Sequence, residues 1–288
     1  MAELAVIDAH QHCWQIDAVQ WPTPELEPIY RDCTPEDFAA ASRSWGIAGS
    51  VLVQSQPETT DTDYLLALAK RHQHVLGVVG WVALEADNAP EEIARRAREP
   101  AFCGIRPMLQ NLPEDDWIMR PELAPALQAL CEHGLSFDAL VYPRHLPAIR
   151  RLAERYPALP IVLDHAAKPA IRSGQWADWH GPLAQLAAAN NVCCKLSGLV
   201  TEASPGAELD RTLPYMEAVL RLFGPDRVIW GSDWPVVNLA SNYGDWLQLC
   251  RKTVRKLVPE AESAIFCDNA RRFYGLDRDI PTTRAEQE

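Results

Sequence analysis

Short apolar runs alternate along the chain with longer segments in which apolar positions recur every three or four residues. The runs are Leu4–His10, Ser50–Gln54, Val75–Val82, Phe102–Met108, Leu135–Val141, Pro160–Ala166, Val192–Ser197 and Arg227–Asp233. Between them, Leu123, Leu127, Leu130 and Cys131 share a helical face that Gly134 is placed to end. Leu146, Ile149, Leu152, Ala153 and Tyr156 form a second such stripe, and Leu213, Met216, Val219, Leu220 and Phe223 form a third, stopped by Gly224-Pro225. Trp246, Leu249, Cys250 and Val254 form a fourth. Ile161-Val162-Leu163 and Val228-Ile229-Trp230 are apolar at every position, as strands buried on both faces of a parallel sheet are. Eight strands alternating with helices predict an α/β fold, a (β/α)₈ barrel. A doubly wound open sheet would place a glycine-rich turn after its first strand, whereas here His10-Gln11-His12-Cys13-Trp14 follows.

No repeat, low-complexity tract or linker divides the chain, so residues 1–288 read as one domain, with a core at about 4–276 and a tail at 277–288. Three connections are long: Cys13–Thr34, with Pro22, Pro24 and Pro28 and two Trp, then Gln110–Pro121 and Ala167–Gly181, with Trp117, Trp176 and Trp179. All three follow strands, which places them at the C-terminal mouth of a barrel, where active sites and their lids sit.

Composition narrows the classes. The 288 residues include 27 Lys+Arg against 39 Asp+Glu, a net charge of −12, which argues against nucleic acid or anionic membrane as partner. With 48% hydrophobic and 23% charged residues, wholesale disorder is excluded. No run of 18 uncharged apolar residues exists, so no membrane span is expected. Met1–Ile7 lacks a basic start and a long apolar run, and the eight cysteines show neither C-x-x-C nor metal spacing. The expectation is a cytoplasmic protein with reduced thiols.

Candidate chemistry gathers at strand ends. His10 and His12, one residue apart, project together from the end of the first run. The same tripeptide at His72-Gln73-His74 precedes a strand and reads as surface, and His133 and His180 receive no role. His165 ends the sixth run and Asp233 the eighth. Each alone has an ordinary explanation, a satisfied core histidine or a helix cap; together they form a polar cup costly to desolvate without a use. Arg106 is the candidate substrate anchor, its alternative an ion pair with Asp138 or Asp164. Gln54, Gln110 and Arg144 are placed to add polar contacts, and Trp14 and Trp234 to pack against a ring. Lys195 reads as a buried partner of an acid.

The stretches Asp8-Ala9-His10-Gln11-His12-Cys13-Trp14, Gly104-Ile105-Arg106, Leu163-Asp164-His165 and Gly231-Ser232-Asp233-Trp234-Pro235 resemble the amidohydrolase superfamily. More narrowly, they resemble its amidohydrolase-related (amidohydrolase 2) branch of sugar-lactone and pyrone-dicarboxylate lactonases. Asn269–Leu276 is similar to that branch's closing helix. The resemblance implies a distorted TIM barrel and hydrolysis of a lactone, a carboxylic ester. It maps His10, His12, His165 and Asp233 onto positions that often hold zinc in the superfamily, though members of this branch also work without metal. Lys195 is out of place for a bridging carboxylated lysine, so one ion is expected rather than two.

On this reading Asp233 acts as general base and then returns the proton to the leaving alkoxide, while the histidines polarise the carbonyl or hold zinc. A neutral aldonolactone of carbohydrate catabolism (fucono-, rhamnono- or galactono-lactone) suits a cup with amides, aromatic faces and few cations. The alternatives are a pyrone or muconolactone hydrolase, a zinc-dependent decarboxylase, and a non-catalytic barrel that binds a sugar acid. The expected partner is the small-molecule lactone, and a homo-oligomer is compatible with all of these readings.

Overall fold

The structure, a computed structural model, describes residues 5–203 and 209–276. Eight parallel strands form one sheet in sequential order. They are β1 (Val6–Gln11), β2 (Ile47–Val53), β3 (Val75–Gly80), β4 (Phe102–Ile105), β5 (Ser136–Ala139), β6 (Ile161–Leu163), β7 (Val192–Leu196) and β8 (Val228–Trp230). Between and after them lie α1 (Pro35–Ser42), α2 (Thr59–Arg71), α3 (Ala89–Arg96), α4 (Ala124–Glu132), α5 (Leu146–Arg155), α6 (Ala177–Ala187), α7 (Leu213–Phe223), α8 (Tyr243–Leu257) and α9 (Asn269–Tyr274). The apolar stripes at 123–131, 146–156, 213–223 and 246–254 fall on α4, α5, α7 and α8 as expected. Gly134 and Gly224, both with positive φ, follow α4 and α7. Thr34 and Asp37 form the capping box that starts α1.

β8 and β1 meet without a regular ladder. Trp234 and Gln11 form a single parallel bridge, the His12 amide donates to the Trp234 carbonyl at 2.8 Å, and the Asp233 amide donates to the His10 carbonyl at 2.8 Å. The barrel is therefore nearly closed, and its seam lies where candidate site residues come together.

The strands are shorter than their apolar runs. β4 stops at Ile105 rather than Met108, β6 at Leu163 rather than Ala166, and β8 at Trp230 rather than Asp233. The residues beyond leave the ladder to build the mouth. Leu4 and the tail 277–288 lie outside the described residues.

Two apolar layers hold the barrel. One packs the helices on the outer faces of the strands. The other fills the interior: Ile7, Ala9, Val51, Val53, Val79, Val162 and Ile229 meet Cys267, Ala270, Tyr274 and Leu276 from the closing segment. α9, entered through a π-helical turn at Ala264–Asp268, thus plugs the end of the barrel opposite the mouth. Asn269 fastens it, donating from Nδ2 to the Pro225 and Val228 carbonyls at 2.7 Å each. Among the described residues, no helix is long and apolar enough to cross a membrane.

Asn269→Ala takes the side-chain donor from the buried Val228 carbonyl and from the part-buried Pro225 carbonyl, so it is expected to destabilise by about 1–3 kcal/mol. Urea denaturation checks this: the midpoint should fall with an unchanged slope, because the fold is loosened at one fastening and not expanded.

Candidate active site

Strict alternation along β1 sends Ile7 and Ala9 into the barrel, and so would send His10 out. The register changes between Asp8, which faces Ser50, and Gln11, which faces Leu52: three steps on β1 span two on β2. This β-bulge turns His10 inward. Asp8, facing out, secures the bulge. Its Oδ1 accepts from the His10 amide at 3.2 Å and the Ser232 amide at 2.9 Å, and its Oδ2 accepts from the Tyr243 hydroxyl at 3.1 Å.

The other mouth residues arrive on strained backbone. Asp233 has φ +60°, and His165, Ala166, Ala167 and Lys168 run at +53°, +50°, +59° and +50°. Four consecutive non-glycine residues in the left-handed region cost roughly 1–2 kcal/mol each. The turn is held by Lys168 N–H donating to the His165 carbonyl at 2.9 Å and Trp179 Nε1–H donating to the Ala166 carbonyl at 2.7 Å. Gly198 admits the His165 ring, since a Cβ there would stand 2.4 Å from Nδ1.

These devices aim three imidazoles at one carboxylate oxygen. Asp233 Oδ1 lies 3.4 Å from His12 Nε2, 3.6 Å from His10 Nε2 and 3.9 Å from His165 Nε2. Each ring is fixed from behind. His12 Nδ1 donates to the Val53 carbonyl at 2.7 Å, His165 Nδ1 meets Ser197 Oγ at 3.0 Å, and His10 Nδ1 lies 3.0 Å from Lys195 Nζ and 3.4 Å from Asp164 Oδ1. Burial pushes His165 down to about 4 against the pull of Asp233 and Asp164, so it is neutral at pH 7. Burial, with Lys195 beside it, holds His10 well below its ordinary value. Burial alone would raise the Asp233 carboxyl, but the surrounding histidines outweigh it and hold the group well below the usual carboxylate range.

His12 commits its Nδ1 proton to a carbonyl, so its Nε2 in the neutral ring presents a lone pair to the Asp233 carboxylate. Two facing lone pairs call for a proton or a cation between them. His10, His165 and Asp233 offer ligand atoms all within 4.8 Å of one another. Ligands about 3.3 Å apart are the edge of a tetrahedron with zinc bonds near 2.0–2.1 Å, a few tenths of an ångström below the 3.6 and 3.9 Å that separate His10 and His165 from Asp233 Oδ1. Back nitrogens anchored on a hydroxyl and a carboxylate are the outer contacts that metal-binding histidines need. The residues therefore fit one zinc ion, with His10, His165 and Asp233 as its core and His12 reaching it only from the Asp233 side.

Beneath the imidazoles sits a layer of fully buried charge. Lys195 Nζ lies 2.6 Å from Asp138 Oδ2 and 3.0 Å from Asp164 Oδ1. Burial would strip the Lys195 proton, but Asp138 and Asp164 outweigh that and raise its pKa. Tyr274 of α9 donates to Asp138 Oδ2 at 2.6 Å, and Ser136 donates to Oδ1 at 3.0 Å. Lys195 is thus the partner of acids that its position suggests.

Arg106 proves to be in the ion-paired alternative. Its Nη1 donates to Asp164 Oδ2 at 3.3 Å, and its Nη2 donates to the Gln54 carbonyl. It still borders the cavity over the cluster, which measures about 460 Å³ and also meets His12, His165, Asp233 and Gln110. Gln54 does not border it: its side chain is buried, donating to the Arg106 carbonyl at 2.6 Å.

The two aromatic candidates also lie outside the cavity wall. Trp14 is buried, its Nε1 donating to the Arg31 carbonyl at 2.8 Å, and Trp234 packs edge-on against Phe38 at 5.6 Å. The ring that faces the cavity is Trp21, which stands edge-on to Trp14 at 5.5 Å and is latched by Gln56 Nε2 donating to its carbonyl at 2.7 Å. Arg144 pairs with Asp115 at 2.7 Å away from the cavity. Trp117 donates to Glu85, and Trp176 and Trp179 pack on Tyr215 of α7, so none of the three covers the mouth. His72 and His74 are half-buried beside α1 rather than on the surface, His74 stacking on the buried Phe38 at 6.4 Å, and neither lines the cavity. Lys168 lines the cavity, and nothing in the sequence pattern singles it out, because its placement depends on the left-handed turn.

The amidohydrolase family model matches residues 7–276. An L-fucono-1,5-lactonase of Burkholderia ambifaria is 51% identical over 278 residues, covering 94% of this chain and 96% of its own. A second L-fucono-1,5-lactonase, from Burkholderia multivorans, is 33% identical, covering 94% and 96%. A crystal structure of an amidohydrolase from Burkholderia multivorans with bound zinc superposes with a TM-score of 0.88 at 32% identity, covering 94% of this chain and 99% of that one.

Lys195→Met strands Asp138 in the interior and leaves Asp164 with Arg106 alone. It is expected to cost about 3–5 kcal/mol, read as a lowered denaturation midpoint, with part of the loss recovered when Asp138→Asn is added.

Proposed function

The chain belongs to the amidohydrolase family, and we propose that it opens the ring ester of a sugar 1,5-lactone. The observation that carries this reading is the meeting of two things. Its likeness to L-fucono-1,5-lactonases runs nearly end to end, and a carboxylate ringed by three imidazoles lies at the barrel mouth. A neutral ring is favoured over a dicarboxylate, because Arg144 is paired outside the cavity and Arg106 is engaged by Asp164 and Gln54. Eight unpaired cysteines suit a reducing compartment, and we place the enzyme in the cytoplasm.

Ring opening needs a nucleophilic water, a polarised carbonyl and a proton for the leaving alkoxide. His12 Nε2, with its lone pair toward the cavity, accepts one proton of the water as a hydrogen bond and orients it. Asp233 takes the other proton as the water oxygen attacks the carbonyl carbon. His165 presents Nε2–H to the cavity when its Nδ1 accepts from the Ser197 hydroxyl. That donor stabilises the oxygen on which negative charge develops, and His10, fully buried, stands 3.6 Å from Asp233 Oδ1 and helps hold the carboxylate in place. The C–O ring bond then breaks, and Asp233 passes its proton to the departing alkoxide. A zinc ion held by His10, His165 and Asp233 supplies, when bound, Lewis-acid polarisation and a water with pKa near 7.

With L-fucono-1,5-lactone and a pH indicator, acid release without CO₂ is expected; release of CO₂ from an unsaturated acid instead would make the enzyme a decarboxylase. Asp233→Asn is expected to lower kcat by at least about 100-fold while product still binds, and turnover like that of the wild type would remove Asp233 from the role of base. Zinc titrated into chelator-treated protein should saturate at one equivalent per chain by calorimetry, and His165→Ala should abolish that binding; two equivalents would contradict the single-ion site.

A further inference from the structure

The left-handed turn at 165–168 has an effect beyond placing His165. In such a turn, as in its mirror image, residues three apart share a side. His165 and Lys168 accordingly both line the cavity, while Ala166 and Ala167 between them are fully buried in the core. Strain of this kind persists where the surrounding structure over-determines it, and it collects at ligand sites. Here it does two tasks at once: it presents a candidate catalytic imidazole and, one turn on, an ammonium group.

Among the charged side chains lining the cavity, Lys168 and Arg106 are the cations. Arg106 is spent on Asp164 and the Gln54 carbonyl. Lys168 is paired more loosely: its Nζ lies 3.6 Å from Glu202 Oε1, an ion pair longer than a direct hydrogen bond, and 5.8 Å from the centre of the Tyr142 ring. An ammonium carries three donors, and this contact leaves them able to turn toward a ligand. The Lys168 side chain keeps only about a fifth of its surface exposed, so its stem is pinned along the wall and its head has a short range of positions.

We propose that Lys168 is the specificity-determining residue of this site, its ammonium donating to a ring hydroxyl of the lactone and selecting hydroxylated rings over bare ones. The inference rests on the reading of the site as a lactonase. It differs from the role of Arg106, which stiffens the floor, and from that of Asp233, His12 and His165, which act on the ester itself. It also accounts for the turn: extended backbone after His165 would send the side chains of His165 and Lys168 to opposite faces.

The test compares a hydroxylated 1,5-lactone with δ-valerolactone, which has the same ring and ester but no hydroxyl. For Lys168→Met, kcat/KM is expected to fall about 10- to 100-fold on the hydroxylated lactone, the loss of a hydrogen bond to a charged donor, and less than about 3-fold on δ-valerolactone. Lys168→Arg, which retains a cation, should recover part of the loss. Equal losses on both lactones, or none on either, overturn the proposal. A second variant separates binding from mere pairing with Glu202. If the single substitution acts by stranding Glu202, then Lys168→Met combined with Glu202→Gln restores turnover of the hydroxylated lactone, and that too overturns it. A wild-type protein inert to both lactones overturns the functional reading along with the inference, whereas an active wild type with unselective losses overturns the inference alone.

Discussion

Lys195 stands in the dry interior of the barrel between two carboxylates, and the arrangement of the mouth depends on keeping that charge balanced. The ammonium and the Arg106 guanidinium face Asp138 and Asp164, two positive against two negative, all buried. Removing either kind of charge would leave the other in a medium that cannot solvate it. These groups come from β5, β7 and the segments just past β4 and β6, so the requirement for neutrality ties several strand ends to one another. Tyr274 brings α9 into the same network through Asp138. The helix that plugs the far end of the barrel is thereby connected, through hydrogen bonds and ion pairs, to the ring of His10.

Above this layer the backbone departs from regular geometry wherever a functional side chain must be presented. The bulge in β1, the left-handed turn after β6 and the positive φ of Asp233 are of one kind: each ends or interrupts a ladder and swings a side chain toward the same point. Each is held by hydrogen bonds to neighbouring segments, Asp8 for the bulge, Trp179 for the turn and the His10 carbonyl for Asp233. The irregular seam between β8 and β1 follows from the same demand, since a full ladder there would leave no room for Asp233 to meet His10 and His12. Rigid barrel walls absorb strain that the isolated segments would not keep.

The cavity over this point is built from all three long connections. Trp21 comes from the first, Gln110 from the second and Lys168 from the third. Its floor is a charge-compensated cluster and its walls combine a tryptophan, amides and one ammonium. That combination suits a ring with hydroxyls, apolar on its faces and polar at its edge, better than a polyanion.

Much of this was legible in the sequence, and the divide is physical. The eight strands, four of the helical faces and the placement of His10, His12, His165 and Asp233 at strand ends followed from local periodicity and from where polar residues interrupt apolar runs, because burial on a barrel imposes those patterns directly on the chain. The function of individual polar side chains did not follow. Trp14 and Trp234 flank the motifs, yet they are packed inside, while Trp21 faces the cavity because the loop that carries it folds back through Gln56. Arg106 read as either a substrate anchor or the partner of Asp138 or Asp164, and only the approach of Asp164 and the Gln54 carbonyl from other strands decided for the pair. Alternation along β1 would point His10 outward; a one-residue bulge against β2 reverses it. Lys168 left no trace in the pattern, since four left-handed residues without glycine are stable only under contacts from distant segments. Periodicity records which face a residue shows to the core, but a side chain's partner and its direction at a strand end are set by segments far apart in the chain, and those meet only in the folded barrel.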